Sequence, residues 1–273
     1  MQISIFADEI SDSPKRAIDL ARAWQVSHLE VRSFPAGRFP AVSDTELDSF
    51  TKQITDAGLS VSGVSPGFFK CPWDDPSVMP GLREYLPRAC EWARRWGTDL
   101  VTCFACTRDD SNCVPQSVID LMGQMATEVR THGCRLALEN EAGCWGDTGV
   151  EATGIIRQVG LENISLCWDP GNSARAGSSC PFPNEYDDLK AMVSHVHMKN
   201  FDPATDSWSL MDRGVVDWPR QLEALSTDGY DGFIVIETHL HVSPDEYRVV
   251  DRLSDLESNT LRNLRFVQSC LKK

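Results

Sequence analysis

Four apolar runs in the second half of this 273-residue chain end on a side chain that can ligate a metal. RLALE closes on Glu139, ISLCW is followed by Asp169, SHVHM carries His197 next to its end, and FIVIE closes on Glu237. If each run is a strand, alternation puts Leu136, Leu138, Leu166, Val196, Ile234 and Ile236 on one face. Glu139, Asp169, His197 and Glu237 then share the other. Charged groups at the end of a buried strand need partners. Three carboxylates and one imidazole carry too much negative charge to neutralise one another, so one divalent cation per chain is expected. Three oxygens and one nitrogen suit Mn2+ first, then Mg2+ or Co2+, with Zn2+ also compatible. Such a cation polarises a carbonyl and stabilises an enediolate, which is the chemistry of moving a proton beside a carbonyl.

Further polar residues share this parity. Lys199 follows His197 on the same face and can reach a substrate oxygen. Asn172 lies one turn after Asp169. Glu30 and Arg32 end another run, HLEVR, and form either a clamp on substrate hydroxyls or a salt bridge. His239 follows Glu237 and can orient it, whereas His195, below His197, reads as a core histidine. Trp145, Trp73 and Phe68 lie on loops where an aromatic face could cover a substrate ring.

These residues must be positioned by a repeating frame. The apolar runs are ISIFA (3–7), HLEVR (28–32), SVSGVS (60–65), DLVTCF (99–104), RLALE (135–139), ISLCW (164–168), SHVHM (194–198) and FIVIE (233–237). Their starts are about 25 to 40 residues apart, the length of a strand–helix unit of a parallel sheet. Helical stretches fill the gaps. Ser13 and Pro14 open one, and Ser43, Glu46 and Gly58 offer a capping box and a stop for another. Further helices are expected at 82–97, 115–133, 150–160, 185–192, 218–227 and 256–271. The segment 171–184, GNSARAGSSCPFPN, reads as the longest irregular piece. Eight such units in one domain, residues 1–273, predict an α/β fold, the (β/α)8 TIM barrel, whose active site lies at the C-terminal ends of its strands. A doubly wound sheet would carry a Gly-rich turn after its first strand, and FADEISDS is not one.

Composition narrows the ligand. The formal charge of −14, from 40 acidic and 26 basic residues, disfavours nucleic acid and anionic membranes as partners. The segment after the last run, THLHVSPDEYR, has no glycine, unlike the phosphate loops of barrels. The expected small-molecule substrate is therefore unphosphorylated. The start, MQISIFADEIS, lacks the pattern of a signal peptide, no apolar run is long enough to span a membrane, and a cytoplasmic location is expected. The ten cysteines are scattered and read as small buried hydrophobes, with Cys103 and Cys106 on opposite faces of a strand.

The chain resembles the sugar phosphate isomerase/epimerase superfamily, the xylose isomerase-like barrels. The resemblance runs over FADEIS, HLEVRSF, LALENE, WDPGN, HVHMKN, GVVDW and VIETH, almost the full length. It implies that Glu139, Asp169, His197 and Glu237 hold one divalent metal. In the epimerase branch it further implies that Glu139 and Glu237 form the acid–base pair on either side of the substrate. It implies an isomerase or epimerase of a free sugar, the unphosphorylated substrate being a sugar, keto-sugar or polyol-derived acid. The alternative is a lyase or dehydratase of a keto-sugar, keto-inositol or dehydroshikimate-like substrate, and a non-catalytic binding barrel is the third class. Dimers are frequent in such proteins, so a homodimer is an expectation. The DNA-repair branch is disfavoured, because Asn172 replaces the histidine of its DxxH and MDRG lacks the histidine of its DRH. Lys70, in SPGFFK, departs from the SPxGK of relatives.

Overall fold

The computed structural model describes residues 1–241 and 252–272. The eight apolar runs form eight strands of a closed barrel: Gln2–Phe6, His28–Val31, Ser60–Phe68, Leu100–Cys103, Arg135–Glu139, Ile164–Trp168, Val193–Met198 and Phe233–Ile236. Each strand pairs in parallel with its successor, and the eighth closes onto the first, with Gln2 opposite Phe233. This is the (β/α)8 barrel that the strand spacing predicts.

Parallel neighbours need a crossover, and the helices supply it. Pro14–Ala23 starts where the Ser13 hydroxyl accepts from the Arg16 N–H and Pro14 takes a position that needs no donor. Asp44–Ala57 is capped by Ser43 and stopped by Gly58, whose φ of +69° favours glycine. The expected box at Ser43 is formed only as that single bond; the reciprocal one joins Ser254 and Glu257 at the start of Asp255–Leu271. Leu86–Arg95, Gln116–Thr131, Gly149–Val159 and Trp218–Thr227 complete the long helices around the barrel. The connection between strands six and seven differs from expectation. The stretch read as irregular contains a helix, Pro170–Arg175, because Asp169 caps the Asn172 N–H and Pro170 fits the first turn. The single helix expected over 185–192 is instead two short turns, Tyr186–Leu189 and Lys190–Met192.

Alternation sorts the side chains as the sequence predicts. Leu136, Leu138, Leu166, Val196, Ile234 and Ile236 join the continuous core between strands and helices. Inside the barrel, Leu100, Ala137 and Cys167 form a separate small cluster. Much of the remaining interior is polar. Ser4 bonds Ser62 at 2.7 Å, Ser65 donates to Glu30 at 2.6 Å, and Thr102 donates to Ser65 at 2.8 Å. Cys103 and Cys106 are buried, and neither joins a group of candidate metal ligands among the described residues. No helix among those residues is long and apolar enough to cross a membrane.

Packing between strand six and the helix Gly149–Val159 leaves no room for a methyl group at its start. A Cβ on Gly149 would lie 2.3 Å from Trp168 and 2.4 Å from Leu189. Gly149→Ala is therefore expected to destabilise the protein by about 1–3 kcal/mol in urea unfolding, the usual cost of overpacking; an unchanged midpoint would contradict this packing.

Candidate metal centre

The four strand-end residues converge. One ligand atom from each of Glu139, Asp169, His197 and Glu237 lies within 4.8 Å of the others, and all four side chains are buried. They come from consecutive strands of one barrel. Glu139 pairs with Cys167, two residues before Asp169, and His197 pairs with Val235, two residues before Glu237.

Each is aimed by further contacts. One Asp169 oxygen caps the Asn172 N–H at 2.9 Å, and Asn140 brackets the Asp169 backbone through its N–H at 2.9 Å and its carbonyl at 2.7 Å. The other oxygen, Oδ2, is left to face the centre. His197 turns its Nε2 to the Glu30 carboxylate at 3.0 Å, which directs Nδ1 toward Glu139 at 3.1 Å. Glu139 also accepts from the Asn172 amide at 3.2 Å. Glu237 accepts from Arg32, from His239 Nε2 at 2.8 Å and from Lys199 at 2.9 Å.

His197 Nδ1 is buried without a hydrogen-bond partner, and Asp169 Oδ2 has only the Lys199 ammonium, 3.0 Å away. Two lone pairs 3.1 Å apart, on Nδ1 and a Glu139 oxygen, repel unless a proton or a cation lies between them. Both atoms belong to the same oxygen-rich cluster. Glu30 behind His197 is the carboxylate–histidine support that orients a ligating imidazole. The residues present therefore fit a divalent cation.

Electrostatics agree with that crowding. Burial pushes the Asp169 carboxyl up to about 7 against the pull of Lys199. Burial would lower His197, but Cys167 and Glu139 hold it well above its ordinary value. Burial also opposes the Lys199 ammonium, yet Asp169 and Glu237 keep its pKa well above normal. Burial alone would raise Glu237, but His239, Lys199 and Arg32 hold it far down. His239 is pushed up to about 9 against its burial, because Glu237 and Glu9 take one ring nitrogen each at 2.8 and 3.2 Å.

Above the ligands opens a cavity of about 380 Å3. Arg32, Lys199 and His239 line it, as do Glu139 and Glu237. Three residues expected to contact substrate do not line this cavity. Glu30 is fully enclosed beneath the ligands, bound to His195 at 2.7 Å and to His197, and does not pair with Arg32. Glu30 and Arg32 differ in height along one strand, so Arg32 reaches the rim and pairs with Asp8, Glu9 and Glu237. Asn172 is buried behind Glu139 and Asn140. Trp145 is a correction of another kind. It is 1% exposed, in a short strand, Cys144–Trp145, that pairs with Ala105–Thr107 below the cavity lining. The aromatic wall is instead Trp208, stacked on His239 with centroids 5.2 Å apart, together with Phe6 and Phe104. Trp208 stands on a hairpin, Asn200–Asp202 with Ser207–Ser209, directly after HVHMK. That short alternation around a turn was the available signal. Lys70 lines the cavity and pairs with Glu141 at 3.0 Å. Glu9, within FADEIS, was also missed; it is held down to about 2, because His239 and Arg32 outweigh its burial.

Three expectations follow from this geometry. Purified protein reconstituted with Mn2+ should hold about one ion per chain by elemental analysis, and Asp169→Asn should lose most of it. Because metal must displace protons from Asp169 and His197, affinity should fall as pH drops below about 7, and a flat titration from pH 8 to 5.5 would remove His197 from the ligand set. His195→Leu strips a partner from the enclosed Glu30 carboxylate, so a loss of about 3–5 kcal/mol in urea unfolding is expected.

Comparisons with known proteins place the fold. The family model for xylose isomerase-like TIM barrels matches residues 18–269. An uncharacterized protein of Methanocaldococcus jannaschii is 26% identical over 109 residues, 39% of this chain, and the match spans only 37% of that relative's length. A solved L-ribulose 3-epimerase superimposes with a TM-score of 0.76 at 17% identity, covering 100% of this chain and 95% of its own. The probable 3-DHS dehydratase AsbF of Bacillus anthracis gives 0.76 at 13% identity over 97% and 98%. A xylose isomerase-like barrel protein of Mycobacterium smegmatis in complex with magnesium gives 0.71 at 19% identity over 100% and 96%. At these identities the superpositions speak for the barrel alone. With the family model spanning all but the two ends, the chain belongs to the xylose isomerase-like TIM barrel family.

Proposed function

We propose that the protein is a divalent-metal-dependent isomerase or epimerase of an unphosphorylated sugar or keto-sugar, working through an enediolate. The observation that carries this reading is the convergence of Glu139 and Glu237 with Asp169 and His197 at the floor of a cavity of monosaccharide size. Glu139, Asp169, His197 and Glu237 would hold the metal. When bound, it supplies Lewis-acid polarisation of the substrate carbonyl. The fold likeness to a barrel in complex with magnesium and to an L-ribulose 3-epimerase is consistent with this chemistry.

The chain's own groups move the proton. Glu237 is ionised, held so by His239, Lys199 and Arg32, and accepts the proton next to the carbonyl. Glu139 comes from strand five, across the centre from strand eight, and returns a proton on the opposite face. Lys199 faces the developing oxyanion and steadies it. Trp208 covers the sugar ring and excludes water. The same floor also serves a dehydratase, the class of the Bacillus anthracis barrel. There the enolate expels a β-hydroxyl instead of being reprotonated.

Glu237→Gln is expected to cut the exchange of solvent deuterium into a free ketose by about 10²–10⁴-fold with the circular dichroism spectrum unchanged. Retained exchange would take Glu237 out of the acid–base pair. A product lighter by one water, in place of exchanged starting material, would move the assignment to the dehydratase.

A further inference from the structure

The cavity carries positive charge that the proton transfer does not use. In a chain of net charge −14, its wall holds Arg32, Arg38, Lys70, Arg175 and Lys199. Three of these are matched by carboxylates: Arg32 by Asp8, Glu9 and Glu237, Lys70 by Glu141, and Lys199 by Asp169 and Glu237. Arg38 and Arg175 line the same cavity, and neither forms an ion pair with a carboxylate among the described residues.

Backbone carbonyls hold the Arg38 guanidinium, whereas Arg175 is exposed beside Trp208. Arg38 ends a small hairpin, Ser33–Phe34 with Gly37–Arg38, that follows strand two. Its Nε donates to the Pro66 carbonyl at 3.0 Å and its Nη2 to the Ser65 carbonyl at 3.4 Å. The group rests against Gly67, where a Cβ would come within 2.5 Å of Nη2 and 2.8 Å of Cζ. Gly67 also has a φ of +74°, so a bare residue there serves both the turn and the seat of the arginine. Arg175, at the end of Pro170–Arg175, sits 5.3 Å from the Trp208 ring centre. Two cations without a carboxylate partner among the described residues, both lining a ligand cavity, are complementary to an anion that the ligand brings.

We propose that the substrate carries a carboxylate, bound by Arg38 with Arg175 as the second cation, so that the site selects a sugar acid over the neutral sugar. This rests on the reading of the cavity as the substrate site. A monoanion is favoured over a phosphate because Glu139, Glu141 and Glu237 share the cavity, and each repels a second negative charge. Arg38 spends two donors on carbonyls and keeps others for a ligand, and a guanidinium matches a planar carboxylate.

The test is calorimetric titration of the full chain, reconstituted with Mn2+, with three matched polyols: D-glucitol, D-gluconate and D-glucitol 6-phosphate. Gluconate is expected to bind about tenfold or more tightly than glucitol, the size of a charge-assisted hydrogen bond. Arg38→Met and Arg175→Met are each expected to weaken gluconate by about tenfold while leaving glucitol unchanged. Arg175 contacts the Trp208 face and caps no backbone, so its variant reports even if Arg38→Met unsettles the Ser65–Gly67 turn. Equal binding of glucitol and gluconate, binding of none of the three, or a carboxylate preference that survives in both variants would overturn the proposal. A preference for the phosphate would replace the carboxylate and overturn it too. No turnover is involved, so loss of the isomerase reading in the exchange assay would leave these affinities interpretable by themselves.

Discussion

The mutual repulsion of three enclosed carboxylates governs the architecture of this barrel. Glu139, Asp169 and Glu237 present oxygens within 4.8 Å of one another. At an effective dielectric near 20 each pair costs about 3 kcal/mol, comparable to a large part of a domain's net stability. Such a cluster persists only when cations or protons are supplied to it. Lys199 supplies one charge, between Asp169 and Glu237 at 3.0 and 2.9 Å. The raised Asp169 and His197 are the remainder of the same imbalance, a demand for positive charge that a divalent ion answers directly.

The surroundings extend that demand outward in alternating signs. Below, Glu30 is buried completely and kept ionised against its burial by His195 and His197. At the rim, Arg32 and His239 link Glu237 to Glu9, and Arg32 also reaches Asp8. The polar barrel interior is part of this network rather than a defect in the core, because Ser62 and Ser65 both spend their hydroxyls on Glu30. His239 adopts a φ of +53°, a left-handed backbone that a non-glycine residue holds only when its surroundings insist. Its ring bonds to two carboxylates and its stacking on Trp208 supply that insistence.

Global charge and local charge point in opposite directions. The chain as a whole carries an excess of acid. The cavity nonetheless gathers arginines and lysines from loops after strands two, three, six and seven. A net charge describes long-range steering, whereas a binding site is built within a few ångströms, inside the screening length of the solvent.

The sequence by itself determined what covalent geometry and short-range pattern control. Alternation along a strand is a property of the backbone, so all eight strands and the inward parity of Glu139, Asp169, His197 and Glu237 were legible. So were the Ser13 and Ser43 caps, which depend on residues three positions apart. The segment 171–184 was misread because its glycine and serine content masked a capped turn at Asp169–Asn172. Only the tertiary structure decided the partners. Arg32 meets Glu237 across 205 residues of sequence because barrel closure puts only strand one between strand two's end and strand eight's. Trp145 was buried and Trp208 exposed to the cavity although each sits on a strand of only two or three residues, because so short an alternation does not say which face meets the barrel. Their direction is set by what the loop packs on, and that contact exists only once the barrel has closed.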